Sequence, residues 1–132
     1  MKKTKWLSIL VLCMLFTMLT SLCFAEGENT ITPRYSYTSY ITAGLDINGS
    51  TADCSGTVKP SGNYSVSVTV SLYRQNGSSW DYVTSWYGSS TGGKTAGAGG
   101  SVNVGSGTYK VVTRGNVGNG MEYPTKSVIR TK

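Results

Sequence analysis

The chain contains no histidine. It therefore lacks the side chain most used as a general base near neutral pH and as a metal ligand. Carboxylates are scarce as well: Glu26, Glu28, Asp46, Asp53, Asp81 and Glu122 are all there are, and none stands in a recognisable pair. A glycosidase needs two carboxyl groups facing each other across a cleft, so the sequence predicts a protein that is not an enzyme. No zinc site and no cofactor motif is read from it. A thiol nucleophile would need an activating base, and Cys54 has no histidine to supply one.

Cysteine is nearly absent for a chain of this length. Of three, Cys13 and Cys23 lie in an N-terminal segment with the features of a secretory leader. Lys2, Lys3 and Lys5 make a basic start, Trp6 to Phe24 is mostly apolar, and Cys23-Phe24-Ala25 offers small residues where a signal peptidase reads. Anchoring through Cys23 as a lipoprotein is disfavoured, because Leu22 occupies a site where such signals carry a small residue. A retained transmembrane helix is likewise disfavoured, because the apolar core is short and ends at a cleavage-like site. The expectation is a cleaved signal peptide at residues 1–25 and one secreted, extracellular domain at residues 26–132. That domain keeps only Cys54, which excludes an intrachain disulfide. Ala52, Cys54, Gly56 and Val58 alternate, which places Cys54 on the apolar face of a strand as a small buried residue.

Clustered positive charge is the third absence. Past residue 25, nine Lys and Arg residues stand against six acids, and they are scattered. Nucleic-acid binding would call for a basic stripe, so no nucleic-acid partner is expected. Helical periodicity is also missing beyond residue 25. What is present is strand pattern. In YSVSVTVSLYRQNGSSWDYVTSWY, residues 64–87, Val66, Val68, Val70 and Leu72 alternate with Ser65, Ser67, Thr69 and Ser71, giving one dry face and one wet face.

Further alternation runs from Tyr35 to Ile47. Asn48-Gly49-Ser50 then turns the chain, and the apolar set changes parity to Ala52–Val58. Pro60–Asn63 makes the next turn. Gly88 to Gly100, GSSTGGKTAGAGG, has almost no apolar bulk and reads as a mobile loop outside the core. Val102 and Val104 mark a short strand, and Tyr109–Val117 a longer one. A last strand over about Glu122 to Thr131 carries Pro124, which suits a sheet edge. Seven strands with regular turns predict an all-β, two-sheet, immunoglobulin-like sandwich without a disulfide. Tyr109, two residues before inward Val111, occupies the place of that fold's tyrosine corner.

The stretches AxCxGxV at 52–58, VTVSLYRQNGSSWDYVTSWY at 68–87 and GTYKVVTRGNV at 107–117 resemble a family of small secreted proteins of Gram-positive, clostridial-type bacteria whose function is unknown. The resemblance implies the sandwich fold and an extracellular bacterial setting. It implies no activity and no site residues.

Two stretches carry candidate chemistry. Gly88 to Thr95 satisfies the GxxxxGK[ST] phosphate-loop pattern, but that motif needs a helix after it, and AGAGG cannot form one. Trp80, Tyr82 and Trp86 share one strand face by parity and are the candidate ligand-binding residues. A two-residue turn at Asn76-Gly77 would expose all three beside the serines. A three-residue turn would bury all three against Leu72, Val70 and Val66. Burial is the favoured expectation, because large aromatics dominate core energetics. If exposed, they would stack on sugars or on partner side chains, and Tyr35, Tyr37 and Tyr40 would extend the surface. The sequence thus predicts a binding or cell-surface interaction module, with surface carbohydrate or protein as partner. The alternative is a secreted toxin or antimicrobial effector that inserts the amphipathic hairpin at 64–87 into a membrane.

Overall fold

The computed structural model describes residues 34–132, which form seven strands and no helix. The leader expected at residues 1–25 lies outside the described residues. β1 (Thr38–Asn48), β2 (Thr51–Pro60) and β5 (Ala96–Asn103) form one sheet, in the order β1-β2-β5. β3 (Val66–Asn76), β4 (Ser79–Ser90), β6 (Thr108–Val117) and β7 (Thr125–Thr131) form the other, in the order β4-β3-β6-β7. All pairings within the two sheets are antiparallel.

The alternation dictates what each sheet buries. Val66, Val68, Val70 and Leu72 of β3 are at most 3% exposed, and they face Ala52, Cys54 and Val58 of β2 with Val111 and Val117 of β6 in one core. The expected parity change between the first two strands is present: Ile41, Ala43, Leu45 and Ile47 turn inward opposite Val58, Gly56, Cys54 and Ala52. Each fully buried aliphatic side chain contributes about 1.5–3 kcal/mol, so this valine face is the main adhesive of the domain.

The connectivity is compatible with an immunoglobulin-like sandwich, with the fourth strand paired to the third rather than placed in the sheet of the first and second. The tyrosine corner is formed. Tyr109 is buried, and its hydroxyl donates to the Gly105 carbonyl at 2.9 Å, four residues upstream.

Asn-Gly-Ser occurs at two hairpin turns, and both use the same geometry. Asn48 pairs with Thr51 around Gly49-Ser50, and Asn76 pairs with Ser79 around Gly77-Ser78. Gly49 (φ 58°) and Gly77 (φ 61°) take the left-handed conformation at the first turn position, as a type II′ hairpin requires. The second turn therefore matches neither register considered from the sequence. Its central pair is Gly-Ser, not Asn-Gly, and the loop is not three residues long.

The glycine-rich stretch at 88–100 is not a mobile loop. Gly88 to Ser90 finish β4, Thr91 to Thr95 turn, and Ala96 to Gly100 belong to β5, which also takes in Val102. Ala96 is a core residue. Close approach explains the composition. A Cβ on Gly88 would collide with the Gly97 carbonyl oxygen of the facing sheet, and one on Gly100 would collide with Trp86 Nε1. Gly88 and Gly100 are there because the two sheets meet along this side. A strand, not a helix, follows the phosphate-loop match, so the architecture that motif requires is absent from this stretch.

On the other side, residues 35–38 tie the start of β1 to the segment entering β7. The Glu122 carboxylate accepts from the backbone N–H of Ser36 (2.6 Å) and Tyr37 (3.1 Å) and from the Thr38 hydroxyl (2.6 Å). Partial burial opposes ionisation of Glu122, but these hydrogen bonds outweigh it, and its pKa falls below the ordinary 4.5. Glu122 makes only an isolated bridge to Val117, so the last strand begins at Thr125, later than expected. Pro124 sits buried just before it, and β7 is an edge strand as predicted.

Candidate functional site

The candidate surface is the outer face of the four-stranded sheet, and a single extra residue determines its composition. Along the β3–β4 ladder, Gln75 pairs with Trp80 and Tyr73 with Tyr82, but Leu72 pairs with Thr84. Val83 is the unpaired residue of a β-bulge, and beyond it the side-chain parity of β4 reverses. Trp80 and Tyr82 therefore point outward beside Gln75 and Tyr73. Trp86 pairs with inward Val70 and packs against the core. The expectation that Trp80, Tyr82 and Trp86 share one face, all buried or all exposed, is corrected on both counts.

Trp86 is thereby removed from the ligand candidates, since its indole rests on Gly100 across the sandwich. Trp80 and Tyr82 remain, joined by two residues from neighbouring strands. Tyr73 and Tyr82 make an edge-to-face pair with centroids 6.0 Å apart, and Lys110 Nζ of β6 stands 4.3 Å from the Trp80 ring centroid. Such a cation–π contact is worth about 0.5–1 kcal/mol at an exposed site, and it holds an ammonium group in place beside the rings. Tyr82 is 61% exposed and its hydroxyl lies 2.9 Å from Ser85 Oγ.

Farther along the same face, Ser71, Thr69 and Ser67 run down β3 between Ser85, Tyr87 and Ser89 of β4 and Val112, Arg114 and Asn116 of β6. Tyr87 is 69% exposed. By register, none of the four strands places a carboxylate on this face, while Lys110 and Arg114 are on it. The face combines flat rings, hydroxyls and two cations. Tyr35, Tyr37 and Tyr40 do not extend it: Tyr35 hydrogen-bonds Thr125 at the sandwich edge, Tyr37 stacks edge-on with Tyr64, and Tyr40 belongs to β1 in the other sheet.

The other sheet holds a pair the sequence reading missed. Asp46 and Asp53 share a rung of the β1–β2 ladder on the outer face, where Asp46 accepts from Asn48 and Asp53 from Ser101. The two-residue turn at Gly49-Ser50 is the signal that would have found it, since it sets this rung. The pair lines a recess of about 370 Å³ together with Cys54 and Arg130. Among the described residues no group of three or more His, Cys, Asp or Glu side chains converges on a metal-sized site.

Cys54 does not lend that recess a nucleophile. It is 4% exposed, and its thiol pKa is pushed up from 9.0 to about 11, by burial first and by the neighbouring Asp53 carboxylate second. The folded chain thus holds the thiol proton more tightly than the unfolded chain does. The stability linked to that proton is complete below about pH 9 and is lost as the pH rises to about 11. Allowing for solvent screening from the adjoining recess, the loss is about 1–2 kcal/mol. Denaturant melts should show it in the native sequence and a shallower one in Cys54→Ala. The folded protein should also resist alkylation at pH values where a free thiol reacts.

No protein-family model and no curated protein sequence matches the chain.

Proposed function

We propose that this chain is a secreted, non-enzymatic surface-interaction module that binds extracellular carbohydrate or protein through the outer face of its four-stranded sheet. The observation that carries this reading is the cluster of Tyr73, Trp80, Tyr82 and Lys110 on that face, with Tyr82 largely exposed. Aromatic rings set beside a cation are costly to leave in water and well suited to stacking on sugar rings or on partner side chains. Support for the non-enzymatic part comes from the lack of any histidine and from the protonated, buried thiol. The membrane-inserting alternative has less support. The apolar face of the hairpin is already spent in the core, and β3 is hydrogen-bonded on both sides.

The test is binding to arrayed glycans, intact bacterial cells and their isolated surface proteins. Trp80→Ala combined with Tyr82→Ala is expected to weaken binding at least tenfold, about 1.4 kcal/mol, with an unchanged far-ultraviolet spectrum. Failure of the native protein to bind any of these surfaces above background would overturn the proposal.

A further inference from the structure

At the end of the four-stranded sheet remote from Trp80, three connections far apart in sequence converge. Ser65 comes from the segment after β2, Ser90 and Thr91 from the end of β4, and Asn119 from the turn between β6 and β7. With Ser67, Tyr87, Ser89 and Asn116 they enclose a groove of about 320 Å³, at the lower end of the size range of small-ligand sites. The lining contains no charged side chain.

Its polar groups are turned toward solvent, with Ser89, Thr91 and Asn119 exposed. Asn116 Oδ1 accepts from the Gly120 N–H at 2.7 Å, and Asn119 Oδ1 accepts from Ser65 Oγ at 3.2 Å. Each bond fixes the amide by its oxygen and leaves the Nδ2 hydrogens without a partner among the described residues. The hydroxyls of Ser67, Ser89 and Thr91 likewise have no side-chain hydrogen bond there. Asn119 adopts a left-handed backbone conformation (φ 56°), which asparagine tolerates better than most residues. Tyr87 supplies one flat ring at the groove wall.

We infer that this groove is a binding subsite for a neutral pyranose within an oligosaccharide. A sugar ring presents an apolar C–H face to stack on Tyr87 and hydroxyl oxygens to accept from the two asparagine amides and bridge to the serines. The lining itself offers no counter-charge to a carboxylate or phosphate, whose burial unpaired is costly; Arg114, on the rung of Thr69 and Tyr87, lies outside it. This inference rests on the reading of the sheet face as a binding surface and adds a ligand class and a second location on it.

The test is titration of the isotope-labelled protein with cellotetraose, chitotetraose and maltotetraose at millimolar concentration, followed by amide chemical shifts. At least one probe is expected to shift the side-chain amides of Asn116 and Asn119 and the backbone of residues 65–69 and 87–91. Tyr87→Ala and Asn119→Gly should each weaken that binding at least tenfold, whereas Tyr87→Phe should keep it. Glycine accepts the left-handed backbone at 119, so its effect would report the lost amide and not misfolding. Shifts confined to Tyr73, Trp80, Tyr82 and Lys110 would overturn the groove assignment while leaving the surface-binding reading in place. No shift with any probe would overturn the groove assignment, and the glycan and cell-binding assay would then judge the broader reading separately.

Discussion

Replacing Trp86 with alanine is expected to lower stability by about 3 kcal/mol and to reduce Tm by about 12 °C or more in a domain of this size. The indole packs against the core and covers Gly100 of the opposite sheet, so truncation opens a gap between the two sheets where they meet. Rearrangement cannot fill that gap cheaply, because the facing residue has no side chain. Thermal denaturation of Trp86→Ala beside Tyr82→Ala checks the assignment. The Tyr82 variant should lose little, since its ring lies mostly in solvent. A shift of only a degree or two for Trp86→Ala would mean that Trp86 is a surface residue and that β4 lacks the bulge at Val83.

Gly56→Ala is expected to cost about 3 kcal/mol, at the upper end for overpacking, although it adds only a methyl group. A Cβ there would overlap Thr113 Oγ1 and would lie 2.7 Å from Val70 Cγ2 and 2.8 Å from Thr113 Cγ2. All three atoms belong to β-branched side chains, which are stiff about χ1, in the middle strands of the facing sheet. The sheets would have to separate along the core. The same contact yields a change of opposite sign. Thr113 is fully buried, and its hydroxyl has no hydrogen-bond partner. Thr113→Val replaces that stranded polar group with a methyl of similar size and is expected to stabilise the fold by roughly 1–3 kcal/mol. Equilibrium denaturation of both variants tests the pair. If Thr113→Val destabilises, the hydroxyl has a partner and the packing at Gly56 is looser than described.

Much of the architecture is legible in the residues because it is governed by short-range rules. Alternation along Val66–Leu72 and Ala52–Val58 sets the inward face of each strand, and Asn-Gly-Ser marks two turns to within a residue. Tyr109 is assigned to its corner, and Cys54 to the interior, from position in such patterns alone. Local signals mislead where they compete with a contact across the sandwich. By propensity, Gly97, Gly99 and Gly100 belong in a loop. They lie in a strand paired with β2, where the Cys54 backbone crowds the place of a Cβ at Gly99 and the Trp86 ring the place of one at Gly100.

The outer surface is the least readable part. Trp80, Tyr82 and Trp86 keep one parity in the sequence, and no residue type announces the bulge at Val83 that sends the last of them inward. The groove at Tyr87 draws its asparagines and serines from strand ends and connections dozens of residues apart, so no spacing in the chain could have assembled it. The sequence by itself determined most of the strands, the dry faces of β1, β2, β3 and β6 and the lack of histidine chemistry, since those follow from composition and a two-residue period. Only the tertiary structure decided which aromatics face solvent and where polar groups converge, because both depend on strand register and on how closely two sheets approach.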